Sequence, residues 1–161
     1  MHPHWYLIVA TLALILFANG LPALLGLLLG PGRPVDGSVS LGDGRPLFGR
    51  SKTVRGVLAA LVATPLAAVV LGLHWYIGLL VALGSMLGDL LASFSKRRLG
   101  YPSSARAPLL DTLPESLIPG LLVMKTLGLD WLDLALLILA FALLHLVLSP
   151  LKRRLFPNSG D

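Results

Sequence analysis

Five apolar runs, separated by polar or glycine-rich stretches, dominate the chain. They cover about residues 5–29, 57–73, 75–94, 113–128 and 131–149. A helix needs about 20 mostly apolar residues to cross a bilayer, and these charge-poor runs approach or reach that length. Glycine and proline interrupt several runs, which membrane helices tolerate when neighbouring helices or water satisfy the freed backbone groups. The pattern predicts an all-α membrane protein with five transmembrane helices, in a single integral membrane domain over residues 1–161.

The composition excludes an ordinary soluble domain. Of the 161 residues, 55% are hydrophobic and 13% are charged, whereas soluble domains carry about 25% charged residues. The chain has no cysteine, so a disulfide framework and a thiolate metal site are both excluded. The amino terminus has neither a basic region nor a small-residue cleavage site, so we expect the first run to be a retained span.

Basic residues are concentrated in alternate connections. All but one of the 13 lysines and arginines fall within residues 30–56, 95–112 and the tail after 149. Positive charge marks the cytoplasmic side of membrane proteins. We therefore expect a multi-pass protein of the cell membrane, with its amino terminus outside and its carboxyl terminus in the cytoplasm. The connections at about 30–56 and 95–112 are predicted to be two functional cytoplasmic loops.

An acidic residue near the end of the third run is the first candidate for chemistry. If the helix continues past Asp89, the same face carries Ser93, Lys96 and Arg97. An acid in a span costs on the order of 2–3 kcal/mol on the milder insertion scale, so such a residue is a functional candidate by default. A second acidic patch, Asp111 to Glu115, begins the fourth run.

These residue types together suit phosphate chemistry. Mg²⁺ is typically bound through one or two carboxylates plus substrate phosphates, and lysine and arginine neutralise the remaining phosphate charge. Phosphoryl or nucleotidyl transfer needs little covalent help from the protein, because positioning and charge stabilisation supply most of the catalysis. The sequence therefore favours a magnesium-dependent transfer of this kind.

Structural explanations remain open for each of these features. Topology alone places basic residues in cytoplasmic loops, Asp43 precedes a glycine in a common turn dipeptide, and Asn19 can bond across helices. The basic face would also suit a non-enzymatic small membrane transporter or a scaffold that binds anionic lipids. A scaffold has no need of acids beside its basic cluster, and a transporter would more often show repeated halves, of which we see none.

Six short motifs follow one another between residues 19 and 115. They are Asn19-Gly20-Leu21-Pro22, DGRPLFG at 43–49, KTVRG at 52–56, Gly88-Asp89 through Ser93, Lys96-Arg97-Arg98 and Leu110-Asp111. This ordered set resembles the CDP-archaeol synthase family, and the two loop motifs, in this order and spacing, also resemble the distantly related CDP-diacylglycerol synthases. The resemblance implies a CTP-dependent nucleotidyltransferase in phospholipid biosynthesis. It would join CTP to a lipid phosphomonoester, with Mg²⁺ as cofactor, and give a CDP-lipid and pyrophosphate.

The resemblance also implies roles for individual residues. Catalysis is expected to depend on Asp89, Asp111, Lys96 and Arg97. Substrate binding is expected of Asn19, Asp43, Arg45, Lys52, Thr53, Arg55, Ser93 and Arg98. The expected magnesium ligands are Asp89, Asp111 and Glu115. The partners implied are CTP, the lipid phosphate and membrane lipids, without nucleic acid, and a homodimer remains open.

The chain departs from the family pattern in one of its acids. A second aspartate usually follows three residues after the position of Asp111, where this sequence has Pro114. Either Glu115, one residue on, takes its place, or the site has one ligand fewer. Residues 101–106 also lack a Lys-Asp pair of the diacylglycerol enzymes. This favours an archaeal-type ether glycerophosphate as the substrate, with related lipid phosphates left open.

Overall fold

The computed structural model describes residues 4–102 and 107–155 and is helical throughout its regular elements. Five α-helices follow one another: α1 Trp5–Leu29, α2 Val54–Val70, α3 Trp75–Arg98, α4 Pro108–Leu127 and α5 Trp131–Leu155. Within the described residues there is no β-strand, only two isolated bridges in the connection between α1 and α2. The predicted all-α fold with five helices is confirmed. The parts of the predicted domain at 1–3 and 156–161, and of the second loop at 103–106, lie outside the described residues.

The helix ends follow local signals in the sequence. Helix α1 stops at Gly30, whose φ of 72° suits glycine, and Pro31 follows. The hydroxyl of Thr53 caps α2 by accepting a hydrogen bond of 3.2 Å from the amide of Gly56. Pro108 lies in the first turn of α4, where a missing amide hydrogen costs nothing. Helices α2, α3 and α4 therefore extend beyond the apolar runs at the end of the bundle that carries the long connections.

The helix bundle has two different ends. At the loop end, loop 1 (residues 30–53) joins α1 to α2, and loop 2 (residues 99–107) joins α3 to α4. At the turn end, short turns join α2 to α3 and α4 to α5. The turn end is closed by hydrogen bonds. His4 pairs with the fully buried Asp133 at 2.8 Å, and the hydroxyl of Tyr6 donates to the carbonyl of Leu71.

Helix α3 packs against α1, α2 and α4, and it lies closest to α4. Two of its glycines touch the backbone of α4. A methyl group at Gly84 would lie 2.6 Å from the Cα of Pro119, and one at Gly88 would lie 2.8 Å from the amide nitrogen of Glu115. Such close backbone approach is typical of small residues between membrane helices. It brings the side chains at the loop ends of α3 and α4 together.

An apolar core fills the interior toward the turn end. It consists of Ile8, Leu14, Ile15, Ala68, Ile77, Val81, Val123, Leu134, Leu137 and Phe141. Large hydrophobic side chains also cover the outside of every helix. Helices α1 and α3 are long and apolar enough to cross a membrane, while Val54–Val70 and Trp131–Val147 are shorter apolar helices. The lysines and arginines of the candidate site lie at the loop end, outside this core.

Candidate functional site

An ion pair joins loop 1 to helix α3. The Nζ atom of Lys52 lies 2.5 Å from the Oδ1 atom of Asp89, although 37 residues separate them. Lys52 directly precedes Thr53, the residue that caps α2, so the start of this helix fixes the position of the lysine. Both side chains are about one-fifth exposed, at 19% and 23%. Asp89 is therefore held near the surface of the loop end by a cation from another element.

The carboxyl group of Glu115 on α4 is an acidic neighbour of Asp89. It interacts with Asp89 at hydrogen-bonding range, and it has electrostatic interactions with Lys52 and Asp111. The backbone contact at Gly88 explains this proximity, because any larger residue there would separate the two helices. Two carboxyl groups thus lie near one lysine, which forms an ion pair with Asp89 and acts on Glu115 through its charge.

A second ion pair lies one helical turn closer to loop 2. The Nζ atom of Lys96 is 2.6 Å from the Oδ1 atom of Asp111. The other carboxylate oxygen of Asp111 accepts a hydrogen bond of 3.1 Å from the amide of Ala107, which holds it at the start of α4. Arg97 is buried and lies within electrostatic reach of Asp111. Lys96 and Arg97 therefore face α4, as the helical spacing from Asp89 predicts.

Loop 1 is an ordered hairpin-like segment. Its two halves are joined by backbone hydrogen bonds, among them one from the amide of Val35 to the carbonyl of Lys52 and one from the amide of Leu47 to that of Val39. The carboxylate of Asp36 accepts three backbone hydrogen bonds, from Ser38 at 3.0 Å, Phe48 at 2.8 Å and Gly49 at 3.0 Å. Partial burial opposes the effect of these hydrogen bonds, yet together they hold the pKa of Asp36 below its usual value.

Two arginines clasp loop 1 to the end of α3. The Nη1 atom of Arg45 donates to the carbonyl of Arg98 at 2.8 Å, and the Nη2 atom of Arg98 donates to the carbonyl of Pro46 at 2.7 Å. Arg98 also pairs with Asp43 at 2.6 Å and lies over the ring of Phe94, 5.4 Å from its centroid. The backbone hydrogen bond from Arg45 to Asp43 and the charge of Arg98 lower the pKa of this exposed carboxyl. We call these contacts the arginine clasp.

A groove of about 170 Å³ opens beside the arginine clasp. Its lining consists of Arg45, Pro46, Arg97, Gly100, Tyr101 and Pro102. The Nε atom of Arg97 is buried without a hydrogen-bond partner. Guanidinium groups in such a setting suit phosphate oxygens, which they contact with two parallel hydrogen bonds.

The remaining predicted residues have mainly local contacts. Arg55 donates to the carbonyls of Gly30 at 2.6 Å and Leu25 at 3.3 Å, so it caps the end of α1. The amide nitrogen and oxygen of Asn19 are buried without hydrogen-bond partners. Ser93 is buried on the face of α3 that carries Asp89. Their substrate-binding roles stay predictions.

The acidic residues fit a magnesium ion as a pair rather than as a compact cluster. In the part of the chain that the structure describes, no three histidine, aspartate or glutamate side chains form a close ligand set. Mg²⁺ needs only one or two carboxylates when substrate phosphates complete its shell. The carboxyl groups of Asp89 and Glu115, which lie at hydrogen-bonding range of each other, meet that requirement. The ligand roles of Asp89, Asp111 and Glu115 stay predictions.

Three residues with clear structural partners are absent from the sequence-based site. Asp36 organises loop 1, and the dipeptide Asp36-Gly37 was a turn signal that pointed to it. His4 pairs with Asp133 at the turn end, where the amide of Asp133 also donates a hydrogen bond to the carboxylate of Asp130. His145 on α5 lies beside α4, and a single histidine in a long apolar run gave no motif.

Comparisons with a family model and with three relatives give the same family description. A family model described as CarS-like, CDP-archaeol synthase, matches residues 5–155. Three relatives are called CDP-archaeol synthase. The protein of Sulfolobus acidocaldarius is 40% identical, and the alignment covers 51% of this chain and 53% of the relative. The protein of Pyrococcus furiosus is 38% identical, with 69% of this chain and 70% of the relative covered. The protein of Aeropyrum pernix is 39% identical, with 72% of this chain and 67% of the relative covered. The first alignment thus spans about half of the relative.

A solved structure has a similar fold. It is described as an intramembrane enzyme for archaeal membrane lipids biosynthesis. The TM-score is 0.66 at 35% sequence identity, with 84% of this chain and 90% of that chain covered. The likeness therefore extends over nearly the whole bundle as well as over the motifs.

Proposed function

Because the chain belongs to the CDP-archaeol synthase family, we propose that it transfers the cytidylyl group of CTP to a lipid phosphate at the loop end of the bundle. Membership makes the chain a CTP-dependent nucleotidyltransferase and a membrane enzyme. It also removes the scaffold and transporter alternatives that the basic loops had left open. The observation that carries the proposal is the convergence of Lys52, Asp89 and Glu115 from three separate elements.

The reaction is a single displacement at phosphorus. An oxygen of the lipid phosphate forms a bond to the α-phosphorus of CTP, and the bond from that phosphorus to the oxygen bridging to the β-phosphate breaks. Pyrophosphate leaves with the bonding electrons, and a CDP-lipid remains. No protein nucleophile is required, because phosphoryl transfer depends chiefly on alignment and on stabilising charge.

Basic side chains of the site bind and neutralise the phosphates. Lys52 and Lys96 supply compact charges that can move from a carboxylate to a phosphate oxygen. Arg97 and Arg45 line the groove beside the arginine clasp and suit two-pronged contacts with a phosphate group. The ordered hairpin of loop 1 holds Arg45 and Lys52 in place before the substrate arrives, which reduces the entropy lost on binding.

We propose that Asp89 and Glu115 hold Mg²⁺, with Asp111 close by on the same helix as Glu115. When bound, the ion supplies positive charge to the phosphate oxygens and aligns them. Glu115 then takes the place of the aspartate that the family pattern puts at position 114. Its contact with Asp89 supports this assignment, since Pro114 has no oxygen on its side chain.

The membrane setting fits a substrate with one polar and one apolar end. Large hydrophobic side chains cover the outside of α3 and α4, among them Leu87, Leu91, Leu113 and Leu117. A lipid lying along this surface can present its phosphate to the loop end. We propose an archaeal-type ether glycerophosphate as this lipid, with the amino terminus outside the cell membrane and the loop end in the cytoplasm, where CTP is present.

The test uses purified protein, radiolabelled CTP, Mg²⁺ and a panel of lipid phosphates. The panel contains an archaeal-type ether glycerophosphate, phosphatidic acid and an isoprenoid monophosphate. We expect a CDP-lipid and one equivalent of pyrophosphate with the ether lipid, and more slowly with the others. Folded protein that forms no CDP-lipid from any member would disprove the function.

Variants of the two acidic residues, compared with a control variant at the turn end, test whether the activity depends on the acidic pair. Asp89→Asn and Glu115→Gln should each lower turnover by about 100-fold or more, because each removes a charge aimed at the reacting phosphates. The matched control is Asp130→Asn at the turn end, where asparagine can still cap α5. Full activity in Glu115→Gln would remove Glu115 from the metal site and leave the overall function intact.

A further inference from the structure

One face of helix α5 packs against α4, and among its positions Leu134, Leu137, Phe141 and His145 the only polar side chain is that of His145. Leu134, Leu137, Phe141 and His145 lie three or four residues apart, so they share this face. The first three are buried, and Leu134 and Leu137 approach Gly120 of α4. The ring of His145 stacks on that of Phe141, with centroids 6.2 Å apart and planes 15° apart. His145 thus stands where the rest of the face would predict a hydrophobic residue.

A histidine within a predominantly apolar helix is expected to have a polar partner. Ionisable residues within membrane helices are costly and almost always face the bundle interior or another polar group. The Nδ1 atom of His145 lies 3.4 Å from the Oγ1 atom of Thr112 on α4, in a long hydrogen bond whose direction depends on the imidazole tautomer. Thr112 is buried, and it directly follows Asp111.

The segment of α4 that His145 contacts is weakly held by its own backbone. Pro114 has no amide hydrogen, so the helical hydrogen bond to the carbonyl of Leu110 cannot form. Pro119 likewise leaves the carbonyl of Glu115 without its helical donor. A side-chain hydrogen bond of 2.7 Å within α4, from the hydroxyl of Ser116 to the carbonyl of Thr112, stabilises this segment. The contact between His145 and Thr112 adds a second stabilising interaction, and this one comes from a different helix.

We propose that His145 is a positioning residue for the acidic pair on α4. Acting through Thr112, it fixes the orientation of the two turns that carry Asp111 and Glu115. This inference rests on the proposed function, since it assumes that these carboxylates serve the metal and the phosphates. Residues that orient metal ligands from behind typically change metal affinity or activity by about 10–100-fold when they are altered.

The experiment separates the hydrogen bond from the ring. In His145→Phe the ring can still stack on Phe141, but the contact with Thr112 is lost. In His145→Asn the amide takes the place of Nδ1 and can keep the contact. We expect His145→Phe to weaken Mn²⁺ binding, followed by electron paramagnetic resonance, and to lower kcat, each by about 10–100-fold. We expect His145→Asn to recover most of both.

A second pair of variants tests the other partner. Thr112→Val removes only the hydroxyl and should match His145→Phe, whereas Thr112→Ser should resemble the wild type. The double variant should lose no more than either single variant, because both remove the same contact. If His145→Phe does not fold, Thr112→Val decides the question. The control is Leu146→Phe, at a position exposed on the outside of α5.

The outcomes distinguish the two proposals. Wild-type protein that forms no CDP-lipid contradicts the proposed function. Active wild-type protein with unchanged Mn²⁺ affinity in His145→Phe and Thr112→Val contradicts only the role of His145. A positioning residue leaves the shape of the pH–rate profile unchanged. Loss of one limb of that profile in His145→Phe would instead assign proton transfer to His145 and overturn the positioning role.

Discussion

Gly88 of α3 lies directly against Pro114 of α4. A methyl group on Gly88 would overlap the carbonyl oxygen of Pro114 and lie 2.8 Å from the amide nitrogen of the next residue, Glu115. The two helix backbones are therefore in contact at the level of the acidic pair. This contact, rather than any attraction between the acids, brings Asp89 beside Glu115, because two carboxylates repel each other when both are ionised.

Replacement of Gly88 by alanine should separate α3 from α4. Overpacking of this kind costs about 1–3 kcal/mol, and here it also widens the gap between Asp89 and Glu115. We expect a lower melting temperature in detergent and a large loss of CDP-lipid formation. The matched control is Gly26→Ala on α1, where an added methyl group meets nothing within 4 Å. Equal behaviour of the two variants would refute the contact.

Loss of the lysine at the centre of the site should impair catalysis more than folding. Lys52→Met leaves Asp89 without its ion-pair partner, and it removes a positive charge that we propose acts on the phosphates. We expect kcat to fall by about 100-fold and Lys52→Arg to retain part of the activity. The two rates are measured at saturating CTP, with circular dichroism as the check on folding. A Lys52→Met enzyme with normal kcat would place the phosphates elsewhere.

The arginine clasp should control the order of loop 1. Lysine at position 98 can pair with Asp43 but cannot also reach the carbonyls of Pro46 and Arg45 in the fork geometry of arginine. We expect Arg98→Lys to raise amide hydrogen exchange across residues 39–47 and to raise the KM for CTP. Arg50→Lys, at an exposed position of the same loop, is the control. Unchanged exchange in Arg98→Lys would show that loop 1 is ordered without the clasp.

The contribution of Asp36 should depend on pH in a defined direction. Its pKa is lower in the folded protein than its usual value of about 3.9. The stabilisation is therefore fully present above that value and is lost as the pH falls through the folded pKa. We expect Asp36→Asn to be less stable than the wild type by about 1 kcal/mol at pH 7.

That difference in melting temperature between the wild type and Asp36→Asn should shrink below pH 4. Measuring both proteins at each pH cancels the titration of the other carboxylates. A difference that stays constant down to pH 3 would mean that the charge of Asp36 does not stabilise loop 1.

The helices could be predicted from hydrophobicity, but their ends could not. A hydrophobic run marks the part of a helix that is favourable in lipid, whereas the helix itself continues as long as its backbone hydrogen bonds continue. Helix α3 therefore runs on through Lys96 to Arg98, and α4 begins at Pro108, five residues before its apolar run. These polar extensions carry Lys96, Arg97, Arg98 and Asp111, so the sequence-based spans stopped short of part of the site.

The ordered motifs named residues that the structure brings together at the loop end, but they did not show how these residues pair. The partnership of Lys52 with Asp89 depends on how α2 and α3 pack, and that of Asp89 with Glu115 on a glycine contact. Neither relation is visible in residue spacing along one chain. Asp36 and His145 escaped prediction for a related reason. Each is a single residue whose importance comes from partners that are distant in sequence.

The arginine clasp also constrains how the protein is made. Arg45 and Arg98 are separated by 53 residues and two helices, so loop 1 is synthesised long before its anchor. During translation loop 1 can form its internal hydrogen bonds early, but its contacts with Arg98 must wait until α3 has been completed. A ribosome-bound chain that ends before residue 97 should carry an unclasped loop. The lining of the groove beside the arginine clasp can therefore be completed only after α3 and residues 100–102 have been made.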